Sequence, residues 1–346
     1  MTDSCDILVL GGGPAGSASA TMLSDAGYKV VILEREKFPR EHVGESLLPA
    51  SIPILEQIGV MPEIERAGFV TKHGATLVWG ADPEPWSWYF ADDPGQRPTS
   101  FQVVRSEFDD ILLKNASKHG VEVIEEAQVL DVIFENERAT GAVYLHEGSE
   151  KQVSARFIVD ASGQAALLSR KLGLLEWDTH FNNLAVYGYF KNARHLDSPN
   201  DGNIFIEAFE HGWLWKIPLH IGMDSVGAVV DKDVAHERLR ELGSDGFLLK
   251  QIEDAPHVSE LLENAELVGE SKVVRDWSYK STQFSGDGYI LVGDAACFVD
   301  PLFSSGVHLA LGSASLASTY VQPVLKDPLS RSQADQTYRA IYEKQY

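Results

Sequence analysis

Four groups of residues have the types and spacing to do chemistry. The first is Gly11-Gly12-Gly13-Pro14-Ala15-Gly16, which follows the apolar run Cys5 to Leu10. A small-residue stretch then runs to Ala26, with Gly27 as its stop, and a second apolar run, Lys29 to Leu33, ends at an acid, Glu34. Glycines at 11, 13 and 16 permit a tight turn and close backbone approach, a helix N-terminus attracts pyrophosphate, and a carboxylate accepts hydrogen bonds from ribose hydroxyls. The pattern predicts a βαβ dinucleotide site, with NAD and FAD both open. The second group is Trp213 and Trp215, which share one side of a strand and can either wall a pocket or fill a core. The third is the loop Asp300-Pro301-Leu302-Phe303-Ser304-Ser305-Gly306, whose amides suit an anion and whose serines could equally cap the following helix. The fourth is Lys72, set between apolar runs; a lysine by itself is most often exposed and idle.

These groups need elements to hold them. Apolar spacing predicts a helix over Leu47 to Ile58, closed by Gly59, and a second helix that starts at Ser106, is capped through Asp109 and ends at Gly120. Between them, Gly74 to Val104 reads as strands and loops broken by Pro83, Pro85, Pro94 and Pro98. Further strands are expected at Val121 to Ile124, Val129 to Phe134, Ala142 to Leu145 and Val153 to Val159. Val186 to Phe190, Ile204 to Phe209, Trp213 to Ile217 and Val226 to Val230 fit a second, antiparallel sheet. A short buried strand, Tyr289 to Val292, and a helix from Gly306 to Tyr320 follow. Ala334 to Tyr346 is helix-like and stops without a cap, so either its end frays into solvent or a longer parent sequence was cut there.

Composition sets the limits. The 346 residues are 44% hydrophobic and 23% charged, the profile of a folded globular protein long enough for two or three units. Acidic residues number 51 against 29 basic ones, and the net charge of −22 repels phosphate backbones and anionic lipid, so neither nucleic acid nor membrane is an expected partner. The first basic residue is Lys29 and no apolar stretch is long enough to span a bilayer, which leads to the expectation of a cytoplasmic protein. Two cysteines, Cys5 and Cys297, exclude a disulfide framework, and the eleven histidines show no metal-ligand spacing. No GxSxG elbow is present, so the chemistry must be carried by something bound.

Further segments narrow what is bound. Arg40-Glu41-His42-Val43-Gly44-Glu45-Ser46, then Arg105-Ser106-Glu107-Phe108-Asp109, then Gly293-Asp294, resemble the arrangement in flavoproteins related to p-hydroxybenzoate hydroxylase, over nearly the whole chain. The segment Trp213-Leu214-Trp215-Lys216-Ile217-Pro218 contains WxWxIP, and Lys72-His73-Gly74-Ala75-Thr76-Leu77-Val78-Trp79-Gly80 resembles KxGAxxxWG; both patterns point to the flavin-dependent halogenases. The resemblance implies an α/β protein, with a Rossmann-type FAD domain and a second, antiparallel β-sheet substrate domain of the p-hydroxybenzoate hydroxylase type. It places residues 1–65, 106–176 and 280–330 in the FAD domain, 66–105 and 177–279 in the substrate domain, and 331–346 in a C-terminal helix.

By the same resemblance Gly11, Gly13, Pro14, Ala15, Gly16, Glu34, Arg40, Gly44, Glu45, Ser46, Arg105, Asp294, Pro301 and Gly306 would contact FAD. Ser305 and Gly306 would hold chloride or bromide, and no metal is implied. Lys72 and Ser304 would be catalytic. Trp213, Trp215, Pro218 and Phe303 would line the substrate pocket. Tryptophan halogenases carry a glutamate where this chain has Phe303, which argues for a phenol, pyrrole or similar ring rather than free tryptophan. With no second dinucleotide motif, FADH2 would come from a separate NADH-dependent flavin reductase. O2 would then give a flavin hydroperoxide, halide would become hypohalous acid, and Lys72 would relay it to a small aromatic, free or carrier-tethered, with a free one favoured because carriers are themselves acidic. An aromatic hydroxylase, an alkene or prenyl reductase and a non-catalytic flavin-binding remnant are the alternatives.

Overall fold

The computed structural model describes residues 3–345. The strand Ser4–Leu10, all apolar from Ile7 onward, is buried on both faces and pairs in parallel with Val30–Leu33 on one side and with Ser149–Asp160 on the other. Beyond these lie Glu122–Ile124 and Tyr289–Leu291, also parallel. The helix Pro14–Asp25 joins the first two strands, the crossover that a parallel pair requires. Ser149–Asp160 pairs in two ways within this one sheet: its first half runs antiparallel to Arg138–His146, its second half parallel to Ser4–Leu10.

A second sheet has the order Cys297–Phe298, Glu266–Ser281, Leu175–Lys191, Met223–Asp231, Gly212–Leu219, Ile204–Phe209, Gly74–Val78, Trp86–Tyr89. All its pairs are antiparallel except Ile204–Phe209 with Gly74–Val78. Strand alternation gives it two apolar faces. Leu214, Phe205, Val186 and Val226 pack under the helix Lys232–Glu253, while Trp213, Trp215, Ile217, Tyr187 and Ile206 form a separate cluster on the other face. The chain is thus a mixed α/β fold with one largely parallel and one largely antiparallel sheet.

Three elements differ from their sequence expectation. Leu47 and Leu48 are extended rather than helical; Leu48 is held at φ −106°, ψ 150° ahead of Pro49, as a residue before proline must be. Leu47 N donates to Phe101 O, and helix proper begins only at Ile52–Gln57 after the turn Pro49–Ser51. The second helix is Arg105–Lys118 with no side-chain cap, so Ser106 lies inside its first turn and Asp109 is free for another role. Gly306–Lys326 runs past Tyr320 through Pro323.

The C-terminal helix Arg331–Gln345 does not fray along its docked face. Tyr338 and Tyr342 are buried, and their hydroxyls donate to Leu291 O at 2.7 Å and Gly293 O at 3.1 Å. Tyr346 lies outside the described residues. Among the described residues no helix is long and apolar enough to cross a membrane, and no group of His, Cys, Asp or Glu is placed to hold a metal ion.

Gly16 seals the first strand to the first helix: a Cβ there would lie 1.9 Å from Gly11 O. Gly16→Ala is therefore expected to separate the two elements, lowering stability by about 2 kcal/mol or more in urea titration. A wild-type unfolding midpoint would contradict this packing.

Candidate active site

The inner face of the second sheet and the C-terminal ends of the parallel strands enclose a cleft of about 700 Å³. That volume suits a sizeable organic ligand, which generally occupies about 300–1,000 Å³. Gly11, at φ +102°, stands at its floor, where a Cβ would come 2.5 Å from Ala161 O, so the turn needs glycine both for its backbone angle and for space. Gly13, Pro14 and Ala15 line the cleft at the start of the first helix, whose first-turn amides have no partner within the helix. Glu34, almost fully buried, accepts from Gly12 N at 2.6 Å and Glu36 N at 2.8 Å, which fixes its carboxylate at the cleft wall.

Asp109 organises the opposite side. It is fully buried and accepts from Arg105 Nε and Nη2, each at 2.9 Å, and from Arg40 Nη1 at 3.0 Å. Arg105 reaches on to Val43 O at 2.6 Å and Gly44 O at 3.3 Å. Burial alone would raise the Asp109 carboxyl, but the charge and hydrogen bonds of Arg105 overcome it and hold Asp109 below the usual carboxylate range. The pair is a buried network and not a surface salt bridge.

Two further acids face the cleft. Asp294 is desolvated and only partly compensated by Arg105, so it rises to about 6. Glu45, raised by burial, receives the Tyr189 hydroxyl at 3.2 Å. The far wall is aromatic. Trp213 and Trp215 both face the cleft with ring centroids 5.9 Å apart, and Tyr187 stands 6.4 Å from Trp215. Gly227 makes room for the Trp215 indole, since a Cβ there would fall 2.2 Å from Cζ2, and Ser225 Oγ receives its Nε1 at 3.2 Å.

Arg40, Gly44, Glu45, Ser46, Arg105, Asp294, Pro301, Ser304 and Gly306 come together on the cleft wall. Ser304 adopts φ +56° and Ser305 caps the helix Gly306–Lys326 without a side-chain bond, leaving that helix's first amides beside Ser304 and Val307 at the cleft. Ser305 itself is not on the wall.

Two pocket assignments are corrected. Pro218 shares its strand face with Lys216, opposite to the tryptophans, and lines a separate cavity with Val70, His73 and His195. Phe303 is 70% exposed outside the cleft, because the turn Pro301–Phe303 packs Leu302 inward instead.

Lys72 also lies off the cleft wall, although it is only 2% exposed. Its Nζ donates to Leu47 O at 3.2 Å and sits 5.4 Å from the Phe90 ring centre. Burial is the single cause that lowers its pKa to about 7. Ser46, next to Leu47, does line the cleft, so one stretch of chain separates lysine and cleft. Asp109 is the functional residue the sequence reading passed over; its signal was the four-residue spacing from Arg105, an ion-pair spacing on a helix.

The glycine turn, open helix N-terminus, buried acids and basic network fit a dinucleotide such as FAD, set between one largely parallel and one largely antiparallel sheet. Comparison with known proteins specifies the family. The tryptophan halogenase family model matches residues 6–99 and 94–346. Tryptophan 2-halogenase of Chondromyces crocatus is 35% identical over 99% of this chain and 66% of its own length. The 1H-pyrrole-2-carbonyl-[peptidyl-carrier protein] chlorinase of Pseudomonas fluorescens is 36% identical over 94% and 78%. The myxobacterial chondrochloren halogenase CndH, an FAD-dependent halogenase, superimposes with a TM-score of 0.94 at 43% identity, over 98% of this chain and 79% of that one. The chain belongs to the flavin-dependent halogenase family, and it spans about two thirds of the length of the first of these relatives.

Asp109→Ala leaves Arg105 buried without its carboxylate. It is expected to cost about 3–5 kcal/mol of stability and to weaken FAD binding about tenfold or more in a fluorescence titration. Wild-type affinity would show that the network does not shape the cofactor site.

Proposed function

We propose that the protein is an FADH2- and O2-dependent halogenase that delivers an electrophilic halogen through Lys72 to an electron-rich aromatic, a phenol, pyrrole or similar ring. The observation that carries this reading is a lysine buried to 2% exposure with a backbone carbonyl as its hydrogen-bond partner, one residue beyond a cleft-lining serine. Membership of the halogenase family supports the reaction class.

Bound in the cleft, reduced flavin supplies the oxidising power by activating dioxygen toward halide. This chain's residues do the rest. The glycine turn and helix N-terminus would receive the pyrophosphate, Glu34 and Asp294 would accept hydroxyls of the ribose and ribityl chain, and Arg40 and Arg105 fix the loop 40–46 at the cleft wall. Amides at the start of Gly306–Lys326 offer a site for chloride or bromide, with Ser304 at the turn. The Lys72 amine takes halogen from hypohalous acid: an N–X bond forms, the O–X bond breaks, and the oxygen leaves as water with the amine's proton. Trp213, Trp215 and Tyr187 provide an aromatic wall for the ring.

In this reading residues 1–65, 106–176 and 280–330 form the cofactor domain and 66–105 with 177–279 the substrate domain. A separate NADH-dependent flavin reductase supplies FADH2. The substrate is a free small aromatic, and a carrier-tethered ring, as the pyrrole chlorinase's name describes, is the outcome to test beside it.

Incubation with reductase, NADH, O2 and bromide against a panel of phenols, pyrroles and indoles is expected to give brominated products. Lys72→Met should keep FAD binding and oxygen consumption and lose all of them; hydroxylation independent of halide would replace the reading with a monooxygenase. The amine titrates near pH 7, so halogenated product per oxygen consumed is expected to rise with pH through about 7. The folded state binds fewer protons at Lys72 than the unfolded state between pH 7 and its ordinary value of 10.5, so stability should rise with pH across that window. Lys72→Met should remove that slope in urea titrations at several pH values.

A further inference from the structure

Three buried oxygens on the strand paired with Lys72, or on the residue bridged to it, have no hydrogen-bond partner among the described residues: Ser46 Oγ, Ser100 Oγ and Gln102 Oε1. The strand Ser100–Gln102 pairs antiparallel with Val70–Lys72, placing Ser100 directly opposite Lys72 and Gln102 opposite Val70. Gln102 is also bridged on its other edge to Ser46. Opposed residues in an antiparallel ladder, and residues two apart in one strand, project to the same face. Lys72, Ser100, Gln102 and Ser46 therefore share one face of this small sheet.

All four are nine-tenths or more buried, and Ser46 alone also lines the cleft. Gln102 spends an amide hydrogen on Gly202 O at 3.1 Å, which leaves its carbonyl oxygen as a pure acceptor. A buried polar group is costly to leave unpaired, so three on the face that carries Lys72 call for a small polar occupant.

We propose that Ser100 and Gln102 form the site that holds the oxygen of hypohalous acid while its halogen passes to Lys72. The inference rests on the role given to Lys72 above. An acceptor-only oxygen needs a donor, which the O–H of HOX supplies and a bare halide ion does not. With that O–H on Gln102 Oε1, the lone pair of the Lys72 amine attacks the halogen, the O–X pair returns to oxygen, and the amine's proton crosses the Ser100 hydroxyl to that oxygen. Haloamine and one water result, and the water stays hydrogen-bonded to Gln102. Ser46 is the contact between this site and the cleft.

Ser100→Ala and Gln102→Met test the site in the FAD-loaded protein, with FAD affinity and thermal midpoint measured alongside. Both are expected to consume oxygen at the wild-type rate, to yield about tenfold less brominated product per oxygen consumed, and to release the missing oxidant into solution, where a dione scavenger captures it. Ser100→Thr, which keeps the hydroxyl, should restore coupling. As a readout apart from turnover, added hypochlorite without reductase should halogenate the Lys72 peptide of Gln102→Met more slowly than that of the wild type by mass spectrometry.

Lys72→Met separates the two claims. If it retains bromination, the lysine reading itself fails; if it abolishes bromination while both Ser100→Ala and Gln102→Met stay fully coupled, the oxygen site is overturned. Should Ser100→Ala unfold, Gln102→Met and the hypochlorite reaction decide alone.

Discussion

Two guanidiniums converge on one carboxylate that solvent does not reach, and the active region is arranged around that point. Asp109 cannot be buried alone, because an uncompensated charge in the interior costs several kcal/mol. Arg105 is likewise buried, and Arg40 comes from a loop that no regular element supports. The network therefore pins the loop 40–46 against the helix Arg105–Lys118, and the spare hydrogens of Arg105 fix the carbonyls of Val43 and Gly44. From there the chain runs straight into Glu45, Ser46 and Leu47. Those three residues meet the Tyr189 hydroxyl, the strand Ser100–Gln102 and the Lys72 amine in turn. Part of the cleft wall and a lysine off it are thus set by one continuous segment.

The second sheet contributes through its alternation. On the strand Gly212–Leu219, odd positions give Trp213, Trp215 and Ile217 to the cleft, while even positions give Leu214 to the helical side and Lys216 to a buried pair with Asp224. A one-residue slip would exchange the aromatic wall for a lysine and a proline. Gly227 on the neighbouring strand protects that arrangement by leaving the indole of Trp215 room to lie across it.

What could be read from the sequence was what is local. The glycine turn, its flanking strands and the closing acid occupy one unbroken segment, and the paired tryptophans need only the period of a strand to share a face. Spacing also held the Arg105–Asp109 pair, but the serine at 106 suggested a cap and drew the reading away from it. Leu47 and Leu48 looked helical by apolar spacing, while Pro49 and the pairing to Phe101 made them extended. Ser100 and Gln102 carry no signal of their own, because their meaning comes from strands paired across 27 residues of intervening chain. Phe303 was placed by analogy with a position in relatives, and a packing choice between neighbours, Leu302 in and Phe303 out, decided otherwise.

Two buried lysines in this chain show why Lys72 stands apart. Lys216 is 3% exposed and donates to Asp224 at 2.6 Å, the usual way an ammonium is accommodated inside a protein. Lys72 is 2% exposed and meets a backbone carbonyl and an aromatic ring, with Ser100 opposite it in the ladder. For stability alone, a carboxylate like Asp224 or an apolar residue of the same volume would serve better. A carboxylate would also keep the nitrogen cationic and deprive it of the lone pair that a halogen acceptor needs. A single neutral carbonyl as partner lets burial favour the free amine near neutrality. The cost in stability and the nucleophilicity of the amine have the same cause, the removal of water without the supply of a counter-charge.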